Sequence, residues 1–322
     1  MRTFLQSRAL AVACWVVATP LAVVAVLRLV AWDAALPLIV ANMFTPWLYV
    51  PIWGVLAVAL IARRPYLAQI SAAVAMLHLL WLAPGAVLPS AQPPEVAEAP
   101  RLRVMTANLL GVNHDTEGIV GEVLEARPDV LIVQELTPHW HASLEDPRLW
   151  VLFPERVHVV REDSFGVGVY SRLPIEEHSL FELEGLPLVQ AGVRVGDRIV
   201  RVYAVHTLPP RTPAYAAVWE RMMGGLGELL ESERGPVILA GDLNATPHAR
   251  LYRRLVSGRM RGAHEDRGRG LATTWPNGVF SVPSVRLDHV LLSPEVACLR
   301  VWEGEGRGSD HRPVLLDVAI LG

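Results

Sequence analysis

The sequence predicts an α/β layered domain carried behind an apolar amino-terminal segment. Three observations lead there. Short apolar runs at 102–107, 130–133 and 237–240 alternate with helical spacing at 116–126 and 214–233, which is how an α/β fold reads along a chain. Polar residues stand at the ends of those runs. Finally, the 52% hydrophobic content and mean hydropathy of +0.33 are high for a soluble chain and are concentrated in the first hundred of 322 residues. That stretch holds five Arg and three acids, whereas the remainder holds 24 Arg and 29 acids, with no Lys anywhere. Such an acidic average weighs against a nucleic-acid coat protein, which needs a basic face, but leaves room for an enzyme with a basic groove. Cys14 and Cys298 are too few for a disulfide framework or a cysteine zinc site.

Residues 1–88 are expected to form a membrane anchor of about three helices. Ala9 to Val30 is apolar and long enough for a hydrocarbon core of roughly 30 Å. A cleaved signal peptide shares its positive start, but the length of the run and the apolar segments after it favour a retained helix. Leu36 to Ala62, interrupted by Pro37, Pro46 and Pro51, supplies a second span near Met43 to Ala62, and Tyr66 to Leu88 a third. His78, inside the third, reads as a packed or interfacial histidine. Arg2, Arg8 and Arg63–Arg64 place the amino terminus and the second loop in the cytosol by the positive-inside rule. The bilayer is then engaged through residues 9–88, and the chain after Leu88 lies on the extracytoplasmic face. Residues 89–100, rich in proline, form a linker, and 101–322 form the catalytic domain.

Along that domain, Leu102–Ala107 reads as a strand ending at Asn108, followed by a helix over Thr116–Ala126. The buried strand Val130–Val133 ends at Gln134–Glu135. Phe165–Ser171 is a further strand, whose Gly-x-Gly lacks the third glycine of a nucleotide loop. Val189–Val195 and Ile199–Val205 form a hairpin turned at Gly196–Asp197 and ending at His206. A long helix, Ala214–Glu233, leads into Val237–Ala240, and Gly241 releases that strand into Asp242 and Asn244. Strand periodicity would aim Asp242 and Asn244 the same way, at a sheet rim; an ordinary Gly-Asp-Asn turn is the other reading. Glu135 repeats the arrangement of Asp242, and paired strand-end acids suit a hard cation such as Mg²⁺. A lone strand-end His206 is ordinarily structural, yet it is the third polar group delivered to such a rim. Seven arginines between Arg250 and Arg269 read either as a phosphate groove or as a solvated helix and loop. Trp275 reads as a core anchor or as a substrate-facing ring. Strands at Arg286–Leu292, containing Asp288, and at Val314–Ala319, preceded by Ser309-Asp310-His311, complete the domain.

The ordered set Asn108, Gln134–Glu135, His206, Gly241-Asp242-Leu243-Asn244, Asp288 and Ser309-Asp310-His311 resembles the endonuclease/exonuclease/phosphatase superfamily across about residues 101–321, in its deoxyribonuclease and neutral sphingomyelinase branches. The resemblance implies a four-layered α/β sandwich, two β-sheets flanked by helices. It implies a divalent cation, Mg²⁺ with Mn²⁺ as the alternative, held by Glu135 with Asn108 and Asp310. It gives Asp242 the attacking water and Asn244, with Asn108, the phosphate. His311, oriented by Asp288, would contact the phosphate or protonate the leaving oxygen, and His206 is a second acid or phosphate contact. The implied function is metal-dependent phosphodiester hydrolysis, with nucleic acid as substrate, or a phospholipid headgroup as its rival; no protein partner is evident. Leu110 and Ser164 stand where base-excision members carry an acid and a tyrosine, which counts against an abasic-site endonuclease. A catalytically silent, membrane-tethered binding domain is the reading from another class; it predicts a lost site residue, and none is lost.

Overall fold

The computed structural model describes residues 7–85, 88–278 and 282–322. Arg2, used above to orient the chain, lies outside them. Five helices come first: α1 (Arg8–Ala31), α2 (Leu36–Met43), α3 (Thr45–Leu48), α4 (Val50–Ile61) and α5 (Pro65–Leu82). Arg8–Ala31 and Pro65–Gly85 are long and apolar enough to cross a membrane. The expected second span differs, because the chain bends by 75° between α2 and the α3–α4 segment. The prolines explain the break. Pro46 and Pro51 each stand in the first turn of a new helix, where a missing N–H costs nothing and the preceding helix cannot continue. The 12 residues of α4 rise about 18 Å, short of a bilayer core. His78 is buried against this bundle, its Nδ1 accepting from Trp53 Nε1 at 3.2 Å.

The rest of the chain follows as β1 (Arg101–Asn108), α6 (Thr116–Ala126), β2 (Val130–Gln134), α7 (Pro138–Leu144), α8 (Pro147–Leu152), β3 (Glu155–Val159), β4 (Val167–Ser171), β5 (Ile175–Leu183), β6 (Leu186–Val195) and β7 (Arg198–His206). After these come α9 (Pro213–Ser232), β8 (Val237–Asp242), α10 (Arg250–Ser257), β9 (Arg261–Gly262), α11 (Ala263–Asp266), β10 (Asp288–Leu292), β11 (Val296–Glu303) and β12 (Val314–Ile320). Among the described residues the strands make two six-stranded mixed sheets, ordered β11-β12-β1-β2-β4-β3 and β5-β6-β7-β8-β10-β9. β1 and β2 run parallel, joined through α6, and β7 and β8 run parallel, joined through α9. The long connections that parallel pairing requires are the two helices the sequence shows most clearly.

Side-chain parity builds the layers. Leu102 and Val104, Val130 and Ile132, Val202 and Ala204, Ile238 and Ala240, and Val290 and Leu292 meet between the sheets. The intervening residues face outward. Met105, Leu131 and Val133 pack beneath Ile119, Val123, Trp140 and Leu149 of the helices on one side. Tyr203, Val205 and Leu239 pack beneath Trp219, Met223 and Leu226 on the other. A residue out of phase would move its whole strand's apolar set to the wrong layer. The result is a helix–sheet–sheet–helix sandwich.

Candidate active site

Parity that fills the core also composes the site. Continuing the inward row past the last apolar residue brings β1 to Asn108, β2 to Gln134, β7 to His206 and β8 to Asp242, and places Asp288 at the start of β10. Register aligns them, with Asn108 opposite Gln134, His206 opposite Asp242, and Asp242 opposite Asp288. Five polar side chains therefore stand at one lip of the sandwich, where the apolar filling ends.

Asn108 joins the two sheets. Its Nδ2 lies 3.2 Å from Glu135 Oε1, on its own sheet, and 3.3 Å from Asp242 Oδ2, on the other. Its Oδ1 accepts from Leu110 N at 3.0 Å. A donor nitrogen facing both carboxylates suits ordering them rather than ligating a cation. Glu135 Oε2 accepts from Gly111 N at 2.8 Å. Leu110, Glu135 and Asn244 adopt φ of 58°, 58° and 45°, a conformation that costs side-chain-bearing residues energy and gathers at functional sites. Gly241, at φ 147°, passes so close to β7 that a Cβ would meet Val205 O at 1.9 Å. Only glycine fits there.

Asp242 is fully enclosed. Its Oδ1 accepts from Asn244 N at 2.8 Å, and its Oδ2 lies 3.6 Å from His206 Nε2 and 3.8 Å from His311 Nε2. Asn244 thus leaves the strand and caps Asp242, rather than extending the strand's row; its Nδ2 donates to Thr207 O at 2.8 Å. Burial pushes the Asp242 carboxyl up to about 6, against the attraction of His311. His311 Nδ1 lies 2.8 Å from Asp288 Oδ2. Burial alone would lower this imidazole, but Asp288 first, then Asp242 and Asp310, raise it to about 10. The acids around this ring thus favour its charged form over the neutral one. Ser309 fixes its approach, donating to Asn108 O at 2.8 Å and accepting from His311 N at 3.0 Å.

Asp310 accepts from Trp275 Nε1 through Oδ2 at 3.1 Å, while its Oδ1 is buried without a hydrogen-bond partner. A buried carboxylate oxygen in that state fits a bound cation. Among the described residues, Asp242, Asp288 and His311 are the acids and histidines whose ligand atoms all lie within 4.8 Å of one another, and neither Glu135 nor Asp310 belongs to that cluster. His206 Nδ1 and Thr207 Oγ1 are also buried without partners. Phe165 lies outside β4, not within it as the sequence reading has it, and its ring centroid is 5.2 Å from that of His206.

The basic run proves mostly structural. Arg259 pairs with Glu295 at 2.6 Å, Arg269 with Glu303, and Arg261 with Asp266 at 3.6 Å; Arg267 donates to Ser90 O at 2.5 Å. Arg250, Arg253 and Arg254 line a cavity beside the apolar helices. Two residues that sequence reasoning left undecided or unused, Trp275 and Thr274, serve the site. Thr274 Oγ1 accepts from Leu287 N and Asp288 N at 3.1 and 3.2 Å.

The model of the endonuclease/exonuclease/phosphatase family matches residues 105–311, more than half of the chain. No curated protein matches significantly. Among solved structures, a humanised D. rerio TDP2 carrying 14 mutations superposes with a TM-score of 0.58 at 16% identity, over 68% of this chain and 98% of that one. An endonuclease/exonuclease/phosphatase from Beutenbergia cavernae gives 0.55 at 20% identity, over 69% and 72%. D. rerio TDP2 complexed with a single-strand DNA product gives 0.55 at 17%, over 68% and 98%.

Proposed function

Because the chain belongs to the endonuclease/exonuclease/phosphatase family, whose named activities all hydrolyse phosphoesters, we propose that it is a membrane-anchored, divalent-metal-dependent phosphodiesterase acting on nucleic acid, with its site on the extracytoplasmic face. The observation that carries this reading is the shared position of Glu135, Asn108 and Asp242 beside the His311–Asp288 pair.

Glu135 and Asp310 would hold the cation, Mg²⁺ or Mn²⁺, with Asn108 keeping Glu135 and Asp242 in place. When bound, the ion supplies positive charge against the phosphoryl oxygens. Asp242 orients a water and accepts its proton as the new P–O bond forms. His311, protonated and held by Asp288, gives its proton to the leaving oxygen as the old P–O bond breaks. Asn244 keeps one amide hydrogen free of Thr207 and can donate it to the phosphate. His206, which faces the same Asp242 oxygen as His311 and has an unpartnered Nδ1, adds a second contact.

A nucleic-acid substrate is supported by the neighbour bound to a DNA product; a phospholipid headgroup is the alternative, supported by the adjoining apolar helices. The full chain, in detergent, should be assayed with single-stranded DNA, RNA and phospholipid or sphingomyelin vesicles at increasing salt. DNA cleavage that falls steeply with salt, through lost counterion release, supports the first reading. Turnover of lipid alone rejects it. Glu135→Gln and Asp310→Asn should raise the metal concentration needed for half-maximal rate, and unchanged metal dependence in both rejects their assignment.

A further inference from the structure

A cavity of about 630 Å³ lies between the apolar helices and the catalytic domain, away from the residues assigned to hydrolysis. One wall is apolar and comes from the ends of the two long helices, with Trp32, Trp81 and Pro84. The facing wall is α10, which presents Arg250, Arg253 and Arg254. Among the described residues, no carboxylate forms an ion pair with any of these three side chains, unlike Arg259, Arg261 and Arg269 further along the same run. Arg253 gives only its Nε to Pro247 O, at 3.2 Å, and Arg250 and Arg254 are exposed. The one acid in the lining, Glu265, is already bound by the buried Arg286 and by Tyr252 Oη. The cavity therefore combines unneutralised positive charge with an aromatic wall.

Its location agrees with that chemistry. Tryptophans cluster where helices leave the hydrocarbon for the headgroup layer, and Trp32, Trp81 and Trp47 all stand at this end of the helices. The boundary is built firmly. Asp33 accepts from Arg250 N at 2.6 Å, Trp32 Nε1 donates to His248 O at 3.2 Å, and Trp47 Nε1 donates to Ser284 O at 2.9 Å. An opening held at the headgroup level, apolar toward the helices and cationic toward the domain, matches one ligand class.

We propose that this cavity binds the headgroup of an anionic phospholipid, with Arg250, Arg253 and Arg254 on the phosphate and Trp32 and Trp81 against the glycerol and upper acyl chain. The site rests on the membrane-anchored reading but not on catalysis. Guanidinium groups suit a phosphate because their donors form a planar fork, and each cation near an anionic surface contributes about fivefold in affinity.

The test uses the full chain in nanodiscs of phosphatidylcholine containing a minor share of phosphatidylglycerol, with the lipids retained by the protein identified by native mass spectrometry. The wild type should retain phosphatidylglycerol at least tenfold over its share of the disc, a preference two arginines suffice to give. Arg250→Gln/Arg254→Gln, at exposed positions that folding tolerates, should lose most of that enrichment, and Arg250→Lys/Arg254→Lys, which keeps the charge but not the fork, should retain more of it than the glutamine variant. Lipid retained in proportion to the disc, or enrichment unchanged in the glutamine variant, overturns the proposal. Equal stabilisation of the detergent-solubilised chain by soluble glycerol phosphate also overturns it, because the site would then read a free phosphate. Failure of the chain to float with vesicles rejects the anchor itself, separately from the site.

Discussion

At the scale of single residues, the account turns on Asp242 and the groups that reach it. His311→Gln should keep the fold and lower turnover by roughly 10²–10⁴-fold, the usual share of a positioned acid, and a rate within a few fold of wild type would remove His311 from proton transfer. Gly241→Ala should destabilise the chain by about 1–3 kcal/mol from backbone strain alone, because the added Cβ meets the Val205 carbonyl; an unchanged unfolding midpoint would contradict that close approach. Asn108, Glu135, His206, Asp242 and Asp288 were legible because each ends, begins or directly follows a run whose parity could be followed, whereas His311, in the loop before β12, was legible only through its Ser309-Asp310-His311 motif. Asn244 was placed correctly beside Asp242 but for a different reason, since it turns back and caps that carboxylate. The service of Trp275 to Asp310 and of Thr274 to Asp288 could not be read from sequence. Neither residue sits in a periodic element, and their partners are distant along the chain.

At the scale of elements, helices α6 and α9 and strands β1, β2, β7, β8 and β12 follow the sequence expectations to within about a residue or two, because one face of each is uniformly apolar. Strands β3, β5, β9 and β11 were missed. β3 and β5 stand at sheet edges and carry charged or half-buried residues, and β11 interrupts its pattern with Arg300 at a register shift. The second apolar segment breaks between Met43 and Thr45, at the edge of the expected span and just before Pro46, one of the prolines that interrupt it, and the size of the 75° bend is what hydropathy does not report. α10 begins without a side-chain cap of its own, and Asp33 from the apolar bundle supplies the acceptor. Asp33→Ala should therefore cost about 0.5–2 kcal/mol, the worth of a helix cap, measured by thermal unfolding of the full chain; no change would mean the two parts are not docked as described. Burial lowers His264 to about 4, and it lowers His289 as well; against the penalty of its own burial, Glu303 is held below the usual carboxylate range by its hydrogen bond with His264 and by the Arg269 guanidinium. All three groups bind protons more readily when unfolded. Through these three groups stability should fall between about 6.5 and 4 as the unfolded histidines take up protons, whereas His311, raised in the fold, works the other way and its contribution is lost as pH rises above 6.5. An unfolding midpoint constant across that window would contradict the neutral, buried state of these rings.

At the scale of the whole molecule, two sheets that pack into one core also present one polar lip, and the same alternation of side chains produces both. The apolar helices meet the sandwich through His248 and Arg250, just after the Asp242 strand, so a bilayer around them would sit close to the sandwich rather than at the end of a free tether. A reporter fused after Gly322 should register the extracytoplasmic side, and a cytosolic signal would reverse the proposed topology. The family model matches residues 105–311, most of the sandwich and none of the amino-terminal apolar helices, so phosphoester hydrolysis rests on kinship while the proposed location rests on hydropathy and charge alone. The most direct measurement is the rate at which the full chain cleaves single-stranded DNA or bis(4-nitrophenyl) phosphate with Mg²⁺ or Mn²⁺, compared with a chelator and with Asp242→Ala. The account predicts cleavage that requires the metal and falls by on the order of 10²–10⁴-fold in a variant that remains folded. Cleavage untouched by the chelator, or equal in the variant and the wild type, would contradict it.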